Sequence, residues 1–290
     1  MIQFQPQLSF RMRSRFNINN YSNLGQRAIT AVIGGLIVVG GTIYSEWTYF
    51  LVFAGILGFS QMEFYKLSGL DGMLPLKSFG TFLGLMIFSL TFMVEKEHLP
   101  TEYLYMIFPI VSLTFFIKLY RKTDKKPFTG IAFTFLGIFY VAVPFSLLNL
   151  AVFSVDGVYM YEILIGCLLI LWATDTGAYF AGTRFGKTKL FERVSPKKSW
   201  EGFLGGAFSA IGVAFILAKY FHVIEDWKWL VIAGIIIIAG TYGDLIESLF
   251  KRSIEIKDSG NGLPGHGGFM DRFDGLLLSA PFITAFLKIF

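Results

Sequence analysis

"WLVIAGIIIIAG", residues 229–240, contains no charged side chain, and "AITAVIGGLIVVGGTIY", residues 28–44, reads the same way. Both runs are too long and too apolar for ordinary soluble helices. A helix needs roughly 20 mostly apolar residues to cross the bilayer core, and continuous rather than alternating apolarity rules against barrel strands. Length alone would suggest one or two soluble domains, but 54% of the 290 residues are hydrophobic and only 16% are charged. The reading is therefore an all-α, polytopic integral membrane protein. Nine transmembrane helices are expected, near 28–45, 47–66, 78–95, 102–119, 129–153, 161–182, 202–221, 228–248 and 269–289. The fifth contains Pro144, which a membrane helix tolerates when its neighbours satisfy the freed carbonyl.

Lysine and arginine set the orientation. Arg11, Arg13, Arg15 and Arg27 precede the first span. Alternate loops then hold Lys66 and Lys77; Lys118, Arg121, Lys122, Lys125 and Lys126; Arg184, Lys187, Lys189, Arg193, Lys197 and Lys198; and Lys251, Arg252, Lys257 and Arg272. Of the 25 basic residues, only Lys96, Lys219, Lys228 and Lys288 fall on the other side. The N-terminus is thus expected in the cytoplasm, and the basic loops are the ordinary signature of that side. The net charge of +5 gives no reason to expect nucleic acid as a partner. The expected organisation is a basic cytoplasmic arm (1–27), N-terminal membrane helices (28–160), and C-terminal membrane helices with cytoplasmic loops (161–290). Cys167 stands alone in an apolar run, which excludes a disulfide framework or thiolate metal site. The first span is too long for a cleaved signal and lacks a small-residue cleavage site.

Polar chemistry concentrates after residue 172. In the first five spans Glu63 is accounted for by an i,i+3 pair with Lys66 at the membrane edge. The sixth span ends "LWATDTGAYFAGTRFG", with Asp175 about two turns inside. A buried ionisable group in a membrane pairs or lines a wet cavity. The next loop, "GKTKLFERVSPKKSWEG", sets Ser195, Lys197 and Lys198 at an expected helix start, where cations and free N–H groups suit phosphate oxygens. A solvated positive-inside loop would look the same. In "GTYGDLIESLFKR", Asp244 and Glu247 share one helical face, with Ser248, Lys251 and Arg252 near them; Asp271 and Asp274 are again i and i+3 at the mouth of the last span.

An antiparallel pairing of these two helices would bring Asp244, Asp271 and Asp274 to one level. Carboxylates that converge out of water repel one another unless cations compensate. Lys251, Arg252 and Arg272 could do so as ion pairs. Mg²⁺, which takes hard oxygen ligands and shares its shell with phosphates, could do so as well. Zinc fits poorly with one nearby His and no nearby Cys. The intervening "KDSGNGLPGHGG", residues 257–268, permits close backbone approach to a ligand and leads into a helix N-terminus. It is not a Walker A loop, because no GK[ST] follows at the required spacing.

The stretch "SLFKRSIEIKDSGNGLPGHGGFMDRFD", residues 248–274, resembles the signature of the CDP-diacylglycerol synthases, or phosphatidate cytidylyltransferases. "TDTGAYFAGTRFG" and "SPKKSWEG" resemble further blocks of that family, in the same order. The resemblance covers residues 170–290 closely. It implies that CTP and phosphatidic acid give CDP-diacylglycerol and pyrophosphate. It implies metal ligation by Asp244, Asp271 and Asp274, with Mg²⁺ and a possible second cation as cofactors. Lys251, Arg252, Lys257, Asp258 and His266 are implied to be catalytic. Asp175, Ser195, Lys197, Lys198, Ser248, Gly267, Gly268 and Arg272 are implied to bind substrate. Membrane lipids and a second copy of the chain, in a homodimer, are the other implied partners, and the compact length points to a bacterial inner membrane. A CTP-dependent polyprenol kinase would share the nucleotide but transfer the γ-phosphoryl group. A cation transporter would carry acids nearer the membrane midplane.

Overall fold

A computed structural model describes residues 19–69, 72, 74–122, 124–256 and 268–290, with side chains from residue 30 onward. The helices are α1 (Asn19–Tyr44), α2 (Glu46–Ser68), α3 (Lys77–Glu95), α4 (Ile107–Tyr120), α5 (Pro127–Gly137), α6 (Val143–Val152), α7 (Tyr161–Phe185), α8 (Trp200–Tyr220), α9 (Asp226–Ile235), α10 (Thr241–Ser253) and α11 (Met270–Ile289). Each expected span coincides with helix. Helix α1 begins earlier than the expected arm boundary, at Asn19. Among the described residues, six helical segments are both long and apolar enough to cross a membrane: Lys77–Glu95, Thr101–Tyr120, Pro127–Val152, Tyr161–Phe185, Trp200–Tyr220 and Asp226–Ser253. Helices α1, α2 and α11 are not among them, with α1 contributing only its apolar stretch Thr30–Tyr44, so these six do not confirm the expected count of nine.

Two rods are interrupted by π-turns, Ile138–Ala142 between α5 and α6 and Ile236–Gly240 between α9 and α10. The first solves the Pro144 problem. Pro144 has no N–H for the preceding turn and its ring would crowd that turn's carbonyl. Widening the turn just before it, with the Val143 N–H bonded to the Ile138 carbonyl, keeps the helix continuous. The second π-turn immediately precedes α10, whose first turn carries Asp244.

The N-terminal half is held by more buried polar contact than the sequence suggests. The Tyr49 hydroxyl donates to Asn149 Oδ1 (2.9 Å), and Asn149 Nδ2 donates to the Phe88 carbonyl (2.9 Å). The Tyr65 hydroxyl donates to the Thr134 carbonyl (2.8 Å). Away from water these bonds fix helix registry that apolar contact alone leaves loose. Lys118, expected in a solvated basic loop, is buried instead: its ammonium bonds Asp124 Oδ2 and the Leu74 carbonyl.

That pair carries a prediction. Lys118→Met should destabilise the protein by about 3 kcal/mol, because a buried carboxylate loses its partner; the thermal midpoint in detergent measures it. Lys118 also holds the Asp124 carboxyl below its ordinary 3.8. The pair therefore contributes fully above that value and is lost as pH falls below it. Lys118→Met should flatten this acid-side dependence.

Helices α7 and α8 pack on small residues. A Cβ on Gly177 would lie 2.1 Å from Ser209 Oγ and 2.7 Å from the Gly205 carbonyl, and one on Gly205 would lie 2.2 Å from Ala181 Cβ. Such stripes let membrane helices approach backbone to backbone. Between α7 and α8 runs an antiparallel ribbon, β1 (Lys189–Phe191) and β2 (Ser195–Ser199). This corrects the all-α expectation locally and replaces the expected helix start at residues 195–198.

Candidate active site where two helix ends and a β-ribbon meet

Helix α10 presents Asp244, Glu247, Ser248 and Lys251 along one stripe, and α11 brings Asp271 and Asp274 against it. Their approach is close at Gly243, where a Cβ would lie 2.4 Å from the Asp274 carbonyl. Single ligand oxygens of Asp244, Glu247 and Asp274 all fall within 4.8 Å of one another. Glu247 is 1% exposed. Its i,i+3 relation to Asp244 was legible in the sequence, but it was not placed among the metal ligands.

Asp271, expected as a ligand, stands outside that group of three. Its Oδ1 pairs with Lys251 Nζ at 3.0 Å, and its Oδ2 accepts the Gly268 N–H at 3.4 Å. Lys251 also lies 3.5 Å from Glu247 Oε1. Residues 271 and 274 share one helix face, offset by about 60° around the axis; within that face Asp271 meets Lys251 while Asp274 meets the acidic cluster. Ser248 Oγ lies 3.4 Å from Asp244 Oδ1.

The ribbon supplies the second cation. Lys198 Nζ reaches Asp244 Oδ2 at 2.6 Å and the Thr241 carbonyl at 3.3 Å. Phe191 of β1 packs edge-on against Tyr242, with ring centroids 6.0 Å apart. Lys197 is exposed, because successive side chains of a strand face opposite ways. Lys197 and Lys198 therefore do not form the joint cationic patch expected. Ser195 is half-buried. The start of α8 is capped by its own Ser199, whose Oγ accepts the Gly202 N–H at 3.1 Å. The N-terminal anion site expected there is thus already used by the protein.

Asp175 on α7 is exposed and lies within electrostatic reach of Asp244, Lys198 and Arg272. Arg272 is exposed. Arg252 is exposed as well and donates to the Ile256 carbonyl at 3.3 Å, closing its own helix end. Lys257, Asp258, His266 and Gly267 lie outside the described residues. Glu63 does not pair with Lys66 as expected; its Oε2 accepts the Phe269 N–H at 2.8 Å, tying α2 to the start of α11. Phe59 stacks on Phe269 at 5.0 Å, and Phe64 stacks on Phe250 at 5.1 Å. Helix α2 thus braces both helix ends that carry the acids.

The electrostatics follow from the spacing. Two carboxylates 4.8 Å apart repel by about 3–4 kcal/mol at an effective dielectric constant near 20. Lys198 and Lys251 neutralise part of three charges, and Asp271 takes a share of Lys251. Among the described residues the donor set is oxygen alone, with one side still open to water through Asp244 and Asp274. That composition fits a hard divalent cation such as Mg²⁺ and not zinc.

Fold and site together define a polytopic helical membrane protein with a polar centre suited to phosphate chemistry. Residues 25–290 match the model of the cytidylyltransferase family, and the chain belongs to that family. Similar relatives include the phosphatidate cytidylyltransferase of Bacillus subtilis strain 168, 30% identical over 289 residues, 92% of this chain and 99% of the relative. That of Staphylococcus aureus strain COL is 30% identical over 274 residues, 90% of this chain and 98% of the relative. That of Haemophilus influenzae is 37% identical over 171 residues, 56% of this chain and 58% of the relative.

Proposed function

We propose that this chain transfers the cytidylyl group of CTP to phosphatidic acid, forming CDP-diacylglycerol and pyrophosphate. The observation that carries the reading is the convergence of Asp244, Glu247 and Asp274 between Lys198 and Lys251, in a chain that belongs to the cytidylyltransferase family. In this reaction an oxygen of the lipid phosphate bonds to the α-phosphorus of CTP. The bond from that phosphorus to the β-phosphate oxygen breaks, and pyrophosphate leaves with the electron pair. Transfers of this kind depend on positioning and on neutralising phosphate charge.

Asp244, Glu247 and Asp274 are the residues that would hold Mg²⁺, and the ion, when bound, would draw charge from the phosphates. Lys198 and Lys251 would exchange their carboxylate partners for phosphate oxygens as substrate arrives, while Asp271 keeps Lys251 oriented. Ser195, Ser248, Lys197, Arg252 and Arg272 remain phosphate contacts in this reading, and Asp175 an orienting group for Lys198. Gly267 and Gly268 would bring backbone close to the phosphates; Lys257, Asp258 and His266 would close the site from the glycine-rich loop. The distribution of basic residues supports a bacterial inner membrane location with this face in the cytoplasm, where CTP is found. A homodimer and a second cation belong to the same reading.

The test uses purified protein with phosphatidic acid, Mg²⁺, and CTP labelled at the α- or γ-phosphate. Label from the α-phosphate in the lipid, with pyrophosphate released, is expected. Label from the γ-phosphate would overturn the reading in favour of a lipid kinase. Chelation should abolish turnover, and restoring Mg²⁺ should recover it.

A further inference from the structure

The first π-turn carries a side chain that the sequence had not marked. Tyr140 lies within Ile138–Ala142, and its ring packs on Phe64 with centroids 6.1 Å apart. Phe64 in turn stacks on Phe250 of α10, one turn beyond Glu247. This relay of rings sets a phenol from the N-terminal half beside the acidic helix. The Tyr140 hydroxyl is sealed from solvent and has no hydrogen-bond partner among the described residues. The charges that act on it are those of Glu247, Asp274 and Asp244, the same three that converge.

A buried hydroxyl without a partner is destabilising, and phenylalanine would fill the same space without that cost. The cations nearby are already engaged, Lys198 with Asp244 and Lys251 with Asp271 and Glu247. Tyr140 is different: it is a neutral donor whose O–H no described protein group uses. A lysine in its place would be captured by the carboxylates. A phenol, which stays neutral at ordinary pH, adds a donor without neutralising them. What it lacks is an acceptor oxygen, which none of the described residues supplies.

Resting on the cytidylyl-transfer reading, the geometry points to Tyr140 as a substrate-positioning residue whose O–H donates to a phosphate oxygen of a substrate held at Asp244, Glu247 and Asp274. The chemistry is common to the nucleotide and the lipid phosphate, and the experiment separates them. The π-turn serves this placement, since an inserted residue rotates the side chains around it relative to a regular helix, and such turns recur at functional sites.

The test compares wild type with Tyr140→Phe in the full chain. The thermal midpoint should stay or rise, because a partnerless hydroxyl is removed. The value of kcat/KM should fall about 10–100-fold, the range for a lost hydrogen bond to a charged group. Three further readouts need no loaded, turning-over enzyme: equilibrium binding of Mn²⁺ alone, of CTP with Mg²⁺, and of phosphatidic acid in vesicles. Mn²⁺ binding should stay within two-fold. A fall of about ten-fold in CTP affinity assigns the O–H to the nucleotide; the same fall for phosphatidic acid assigns it to the lipid. The proposal is overturned if kcat/KM and both substrate affinities stay within two-fold, or if Mn²⁺ binding alone weakens. Should wild type itself put no α-label into lipid, the cytidylyl-transfer reading fails, and the binding comparisons still decide the role of Tyr140.

Discussion

Asp274→Asn should reduce cytidylyl transfer by at least about a thousand-fold while leaving the helix bundle folded. The substitution keeps shape and removes one of three converging anionic oxygens, so the cluster loses a third of its charge. A hard divalent cation depends on carboxylate charge, and the amide that remains is a weaker ligand. Stability should move the opposite way from activity. Without metal, Asp274 contributes repulsion toward Asp244 and Glu247, and its neutral replacement should hold or raise the thermal midpoint. Asp271→Asn is the comparison, since Asp271 stands outside the group of three and pairs with Lys251. Its loss should be about 10–100-fold, the scale of a lost charge-assisted hydrogen bond. Kinetics of both variants across a Mg²⁺ titration check the assignment. If Asp271→Asn is the more damaging, the cation is held by the set expected from the sequence and not by Glu247.

The second large effect tests helix approach rather than ligand chemistry. Gly243→Val should bring activity to background and lower the thermal midpoint by several degrees. The added Cβ would meet the Asp274 carbonyl at 2.4 Å and Gly275 Cα at 3.1 Å, both backbone atoms that cannot rotate away. Relief requires α10 and α11 to separate, which carries Asp244 away from Asp274. Overpacking of this kind typically costs about 1–3 kcal/mol, yet the catalytic loss should be far larger, because ligand oxygens tolerate little displacement. A useful contrast is Gly212→Ala on α8, where an added Cβ meets nothing within 4 Å. That change should leave both activity and midpoint near wild type. Equal losses from the two substitutions would remove the close-packing argument.

Much of this site was legible as residue types. The i,i+3 spacing of Asp244 and Glu247, and of Asp271 and Asp274, placed the acids on helix faces correctly, because helical periodicity is a local property. Which member of each pair faces the partner helix depends on helix rotation, and spacing does not report it. Hence Asp271 turned out to pair with Lys251, while Glu247 joined the cluster. Lys198 and Lys197 are neighbours in a basic loop, but strand pleating sends only Lys198 to Asp244. No local rule anticipated a ribbon there: three residues pair with five, and the segment reads equally well as a polar loop. Tyr140 escaped notice because a tyrosine in an aromatic-rich membrane helix looks like packing.

The amino-acid sequence by itself determined that the chain is a set of membrane helices. The reason is energetic and local: in hydrocarbon each backbone N–H and C=O must be bonded within its own segment, so long apolar runs have no alternative to helix. It also determined the kind of chemistry, through the acids, lysines and glycines gathered after residue 172. Only the tertiary structure decided which of them meet. Lys198 is joined to Asp244, Glu63 to Phe269 and Tyr140, through Phe64, to Phe250 of the acidic helix by contacts between residues far apart in the chain. Those contacts depend on rotation, crossing and the extra residue of a π-turn, and no short stretch of sequence encodes such quantities alone.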